Sequence, residues 1–215
     1  MSKRFALFLL IAMLLSSCAA PALDEAKLAA EGWVKNPVEN GYVLLEELPA
    51  PRTEEGNYAA DASSINATNL YNYMGRNDVT YIDLRDYEDY ARKHLKNFEV
   101  IPYFALIFNE NAGKDDAMVQ LFSGTPEEPV AVYQSSEAIL NELFPKDETL
   151  FLMCQSGGRV AMMMEILEEY GYDMNKVYNV GGLGQFTDAG FESYITDTEE
   201  FALDVDYQIE GAIKH

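Results

Sequence analysis

At 215 residues and 48% hydrophobic composition, the chain can bury one good core and carry some decoration around it. A formal net charge of −21 excludes a nucleic-acid partner, because neutralising phosphates demands the opposite sign. Two cysteines exclude a disulfide-stapled scaffold, and with only two histidines there are too few ligands to support a metal site.

The first segment stands outside the core. Lys3 and Arg4 precede eleven apolar residues, 5–15, followed by Ser16, Ser17 and Cys18. Eleven are too few to cross a bilayer, which takes about 20, but they suit the apolar stretch of a secretory leader. Leu15-Ser-Ser-Cys18 resembles the lipobox of bacterial lipoproteins, which implies cleavage before Cys18 and lipidation of that cysteine. The expectation is a leader at 1–17 and an exported body held to the membrane through Cys18 on its extracytoplasmic face. Two acyl chains anchor stably, since each buried methylene contributes about 0.8 kcal/mol. Loss of Lys3 and Arg4 would take the body from −21 to −23. Cys154 would then be the single free thiol of an exported protein, in need of a reductant or a sulfur-transfer cycle.

Residues 18–62 read as a tether and extension. Within them 24–31 has helical composition ending at Gly32, 41–48 reads as a strand closed by Pro49 and Pro51, and 52–57 is a polar link. Residues 63–74 read as a helix capped by Ser64, with Ile65, Leu70, Tyr71 and Met74 on its apolar side. Residues 79–84 form a buried strand that delivers Asp83 and Arg85 to its carboxyl end, where open α/β sheets form ligand crevices. Taken alone, Asp83 and Arg85 are as well read as a structural ion pair. Residues 100–108 supply another strand and a run into helix or loop.

Turn chemistry at 111–116 and 123–129 flanks Met118-Val-Gln-Leu-Phe122, so 109–129 reads as an inserted hairpin or lid. It is chiefly surface decoration in this reading, and selects a partner or substrate if it lies near the site. Residues 135–144 are helical with Ile139, Leu140, Leu143 and Phe144 inward, and Pro145 ends them. Residues 149–153 and 176–180 are strands. Met162, Met163 and Met164 are consecutive on a helix and cannot converge on one ion, so they belong to the core. Glu165, Glu168 and Glu169 form that helix's solvent face. Residues 201–209 alternate strictly, as a half-buried strand does, and could pair with the strand at 41–48. Asp204 and Asp206 fall on its wet side rather than in a calcium loop.

Chemistry concentrates at Leu150-Phe-Leu-Met-Cys-Gln-Ser-Gly-Gly-Arg159. An apolar strand ends in a cysteine, small and polar residues lead to an arginine, and a helical pattern begins at once. A strand turning into a helix N-terminus gathers backbone amides and the positive end of the helix dipole at one spot. That setting favours the ionised form of Cys154. Gly157 and Gly158 allow the tight curl, and Arg159 adds a planar cation.

Cys154-Gln-Ser-Gly-Gly-Arg159 resembles the active loop of the rhodanese family, in which four residues separate the cysteine from the arginine. Tyr81-Ile-Asp-Leu-Arg-Asp-Tyr-Glu-Asp-Tyr90 is similar to the family's first signature. Arg92-Lys-His-Leu95 is similar to its Gly-His-Ile-Pro-Gly-Ala motif, and Val177-Tyr-Asn-Val-Gly-Gly-Leu183 to its closing strand and Gly-Gly turn. The four occur in the family's order over about residues 65–190. The resemblance implies an α/β fold at 63–192, a rhodanese-like parallel sheet flanked by helices. The N- and C-terminal segments, the latter at 193–215, would add a small β element.

It also implies sulfur transfer without cofactor or metal. Cys154 is the nucleophile beside Arg159, with Gln155, Ser156, Gly157 and Gly158 as the cradle and Asp83 and Arg85 shaping it. His94 takes a structural role. The implied partners are a small sulfur donor or a persulfide-bearing protein. Three departures stand out. Lys93 replaces a glycine, Lys96-Asn97-Phe98 replaces Pro-Gly-Ala, and Gln155 replaces the arginine common after the cysteine, which disfavours a dianionic donor such as thiosulfate. Two other classes stay open. A phosphatase or arsenate reductase would have five residues in the loop, where this chain has four. A non-catalytic binding module would leave the thiol incidental.

Overall fold

The computed structural model describes residues 25–30, 32–35, 42–45, 47–115, 117–197, 208–209, 211 and 213–215. The leader and Cys18 lie outside them. The stretch 24–31 contains a short helix, α1 (Glu25–Ala30). The strand expected at 41–48 is shorter, β2 (Tyr42–Leu44), and it pairs antiparallel with β1 (Trp33–Lys35). A partner a few residues upstream closes a short loop. Most of the tail strand, 201–207, lies outside the described residues. The C-terminal end pairs elsewhere, with Gln134 N–H donating to Ile213 O at 3.0 Å and His215 N–H to Val132 O at 3.0 Å.

The helix expected at 63–74 is absent. Only 3-10 turns form, at Ala60–Ala62 and Leu70–Tyr73. Asparagine side chains explain why. Asn69 accepts from Asn66 N–H and donates to Ser64 O, Asn66 donates to Ser63 O, and Asn66 also accepts from Thr68 N–H. These local bonds offer the backbone an alternative to the helical ladder. Ile65, Leu70 and Met74 are buried even so.

The centre is built from β3 (Val79–Asp83), α2 (Tyr87–Arg92), β4 (Lys93–Leu95) and β5 (Glu99–Val100). A π-helical turn follows at Tyr103–Ile107, then the hairpin strands β6 (Phe122–Gly124) and β7 (Pro129–Ala131). The chain finishes with α3 (Ser136–Leu143), β8 (Thr149–Cys154), α4 (Gly158–Glu169), β9 (Val177–Gly182) and β10 (Ile195–Asp197). Strands β5, β3, β8 and β9 form one parallel sheet in that order. From β3 the chain winds outward to β5, then returns to β8 on the other side. The carboxyl ends of β3 and β8 therefore lie at the point where strand order reverses, the crevice position of open α/β sheets.

Alternation along the strands divides the core in two. Ile82, Leu84, Leu150, Leu152 and Cys154 pack with Leu140 and Phe144 and with Val160, Met163 and Ile166 of α4. Tyr81, Phe151, Met153, Tyr178 and Val180 face the other way, onto Ile65, Leu70, Phe98, Phe186 and Phe191. Burial on both faces is what makes these strands read as nearly continuous apolar runs.

The segment that departs from the Gly-His-Ile-Pro-Gly-Ala pattern solves its turn differently. Asn97 adopts φ 71°, a left-handed conformation asparagine tolerates, and β4 pairs antiparallel with β10. The hairpin expected within 109–129 is present but shifted to β6 and β7, around the turn at 125–128. It is not mere decoration, since Leu121 and Phe122 have no exposed surface and sit in the core. Glu165 is half-buried rather than on the solvent face.

Candidate active site

Cys154 is the last residue of β8, and only 1% of it is exposed. The Gly157 N–H donates to its Sγ at 3.1 Å. Gly157 reaches that position at φ 95°, which glycine adopts freely, and the first helical bond of α4 closes on its carbonyl from Ala161 N–H at 3.1 Å. The sulfur thus lies against the amide that introduces a twelve-residue helix, on the positive side of its dipole. Gln155, Ser156 and Gly158 are exposed around it. The arrangement presents a nucleophilic sulfur and backbone donors at one point.

Arg159 stands at the loop's far side with its side chain 19% exposed. Its Nη1 lies 3.4 Å from Leu84 O and 3.8 Å from an Asp86 carboxylate oxygen, and its guanidinium sits 5.8 Å from the Phe104 ring centre. Asp83 and Arg85 are beneath this level. Arg85 donates Nε and Nη2 to the Asp83 carboxylate, the shortest contact being 2.6 Å, and spends further N–H groups on Lys93 O and Asp89 O. Both are buried. Burial raises the Asp83 pKa, while the bonds and charge of Arg85, and the charge of Arg159, pull against that rise. The pair ties the end of β3 to α2 and to the first residue of β4. His94 is engaged with Tyr90, its Nδ1 lying 2.8 Å from Tyr90 O and its ring stacked at 4.0 Å.

Sequence reasoning missed Asn179. It is 2% exposed in β9, and its amide donates to Tyr58 O at 2.8 Å and to Gly157 O at 3.0 Å, while its oxygen accepts from Gly181 N–H at 3.1 Å. One side chain therefore joins the upstream extension, the cysteine loop and the Gly-Gly turn. The visible signal was a lone amide inside the apolar run Val177-Tyr-Asn-Val180. The Gly-Gly turn itself is needed for space. A Cβ on Gly182 would lie 2.2 Å from the Gln155 carbonyl carbon, and Gly184 N–H donates to Gln155 O at 3.1 Å.

The extension at 18–62 also takes part. Arg52 Nη1 donates to Met174 O at 2.9 Å, and its guanidinium lies 5.0 Å from the Tyr58 ring centre. Tyr178 Oη donates to Pro49 O at 2.7 Å. Residues 49–60 thus run along β9 as far as the loop, where Ala60 lies close against Gly157.

With this geometry in view, comparison with known proteins is direct. Among curated proteins the chain is similar to rhodanese-like domain-containing protein 9, chloroplastic, of Arabidopsis thaliana. Identity is 27% over 175 residues, 78% of this chain and 69% of that protein. Among solved structures it is similar to a rhodanese with anions from E. coli at 21% identity and TM-score 0.33, covering 56% of this chain and 99% of that one. It is also similar to a rhodanese-like domain from Anabaena at 13% identity and TM-score 0.40, covering 77% of this chain and 95% of that one. The profile of the Rhodanese-like domain matches residues 66–189, more than half of the sequence. On that match, the chain belongs to the rhodanese-like domain family.

Proposed function

We propose that the protein is a membrane-anchored, extracytoplasmic sulfurtransferase that carries sulfur as a persulfide on Cys154. One observation carries the reading: the Cys154 sulfur accepts the Gly157 amide at 3.1 Å where β8 turns into α4. The thiolate attacks the outer sulfur of a donor. A new S–S bond forms, and the donor's own S–S bond breaks with its electron pair leaving on the departing group. A nucleophilic acceptor such as a thiol, sulfite or cyanide then takes the outer sulfur and returns Cys154 to the thiolate. Charge stays near the sulfur throughout, and preorganised loop amides stabilise it without rearranging.

Gln155 at the usual arginine position and a net charge of −21 both disfavour a dianionic donor, so a persulfide on a small molecule or protein is the donor class. The Leu15-Ser-Ser-Cys18 motif supports anchoring through lipidated Cys18. Among the described residues, no helix is long and apolar enough to cross a membrane.

The test is intact-mass measurement after exposure to a persulfide donor, with Cys154→Ser as control. Gain of one sulfur atom that requires Cys154 is the expected result; no gain overturns the reading. A second reading, a non-catalytic binding module, draws on the near-complete burial of the thiol. It predicts membrane partners captured equally by wild type and Cys154→Ala, with no sulfur loading.

A further inference from the structure

Among the described residues, large hydrophobic side chains are mostly buried, yet Phe104 is 49% exposed. Its position is not a loose loop. It sits in the π-helical turn Tyr103–Ile107, closed by Phe108 N–H donating to Tyr103 O at 2.9 Å. Gln120 Nε2 donates to Phe104 O at 3.0 Å, and the buried Tyr103 ring meets the Phe104 ring edge-on at 5.1 Å. The ring is thus held outward by a packed neighbour and a fixed backbone.

It is held beside the cysteine loop. Tyr103 N–H donates to Leu84 O at 3.2 Å, the same carbonyl that Arg159 approaches at 3.4 Å. The guanidinium lies 5.8 Å from the Phe104 ring centre and 3.8 Å from an Asp86 oxygen. Arg159 is therefore partly neutralised and partly covered, so the mouth offers an aromatic surface more than an open cation. A small hydrophilic dianion gains little there. A donor with an aromatic group gains apolar burial and an aromatic pair.

We infer that Phe104 is a specificity-determining residue of the Cys154 site, selecting sulfane-sulfur donors whose leaving group is apolar or aromatic. This rests on the sulfur-transfer reading. With an arylthiosulfonate, the Cys154 thiolate takes the terminal sulfur, the donor S–S bond breaks, and the electron pair leaves on the arylsulfinate. Cyanide then removes the sulfur as thiocyanate and restores the thiolate.

The experiment compares the full chain with Phe104→Ala, Phe104→Leu and Phe104→Tyr, using p-toluenethiosulfonate and thiosulfate as donors and cyanide as acceptor. The ratio of kcat/KM between the two donors is expected to fall about fivefold in Phe104→Ala. The change should sit in KM, with Phe104→Leu intermediate and Phe104→Tyr close to wild type. Equal losses with both donors, or an unchanged ratio, overturn the inference. A second arm measures binding of p-toluenethiosulfonate to Cys154→Ser and to Cys154→Ser/Phe104→Ala, which needs no turnover. Weaker binding by about fivefold in the double variant supports the inference, and equal binding overturns it. Absence of Cys154-dependent transfer from any donor defeats the sulfur-transfer reading separately, while the binding arm still decides the role of Phe104.

Discussion

Replacing Asn179 by alanine tests whether one buried amide holds the cysteine loop in place. The substitution removes donors to Tyr58 O and Gly157 O and the acceptor for Gly181 N–H. Gly157 O keeps a bond from Ala161 N–H, so two backbone groups, Tyr58 O and Gly181 N–H, lose this partner. An unmet buried polar group costs about 1–3 kcal/mol, giving for two such groups a loss of about 2–6 kcal/mol against a typical total of about 5–15. Urea denaturation reads that loss as a lower midpoint at unchanged slope. Hydrogen exchange should report the same event locally, as faster exchange at Gly181 and across 155–161. The rate of sulfur loading on Cys154 should fall with it. A stability loss below about 1 kcal/mol would mean the three bonds are replaced at no cost. A large loss with an unchanged loading rate would break the link between this side chain and the loop.

Gly182→Ala should stop sulfur loading, because the added Cβ would lie 2.2 Å from the Gln155 carbonyl carbon and push the loop off the sulfur; mass spectrometry after donor exposure checks it. Arg85→Ala strands the Asp83 carboxylate at 0% exposure and should cost about 3–5 kcal/mol. Arg92→Ala, which breaks an exposed ion pair with Glu88, should cost less than about 1 kcal/mol; denaturation of both variants side by side is the comparison. Burial, then repulsion from Glu127 and Glu168, raises the Glu165 pKa. The folded protein therefore holds this proton more tightly than the unfolded chain does. The contribution is greatest in acid and is lost as pH rises from the ordinary glutamate value, about 4.3, through the raised one. Glu165→Gln should flatten that part of the curve of denaturation midpoint against pH. An unchanged difference between the two proteins across this range would refute the assignment.

The cysteine loop was legible because its signal is local: an apolar strand, a thiol, two glycines and an arginine occupy ten consecutive residues, 150–159. The strands at 79–84, 149–153 and 176–180 were legible because burial on both faces makes them continuous apolar runs. The segment 63–74 was misread because its spacing of Ile65, Leu70 and Met74 is real, but Asn66 and Asn69 satisfy the backbone locally and no helix forms. The hairpin of 109–129 was found with its strands displaced, since turn residues mark a bend without setting register.

By itself, then, the sequence determined the place of the thiol at the strand end, the glycines that let the loop curl, and the parallel strands that carry it. Only tertiary structure decided which distant groups stabilise that loop. Asn179 reaches Gly157 and joins it to Tyr58, and Phe104 lies against Arg159, each from a position far away in the chain. Composition and periodicity report what one segment prefers, whereas contacts between segments exist only once strand order and register are fixed.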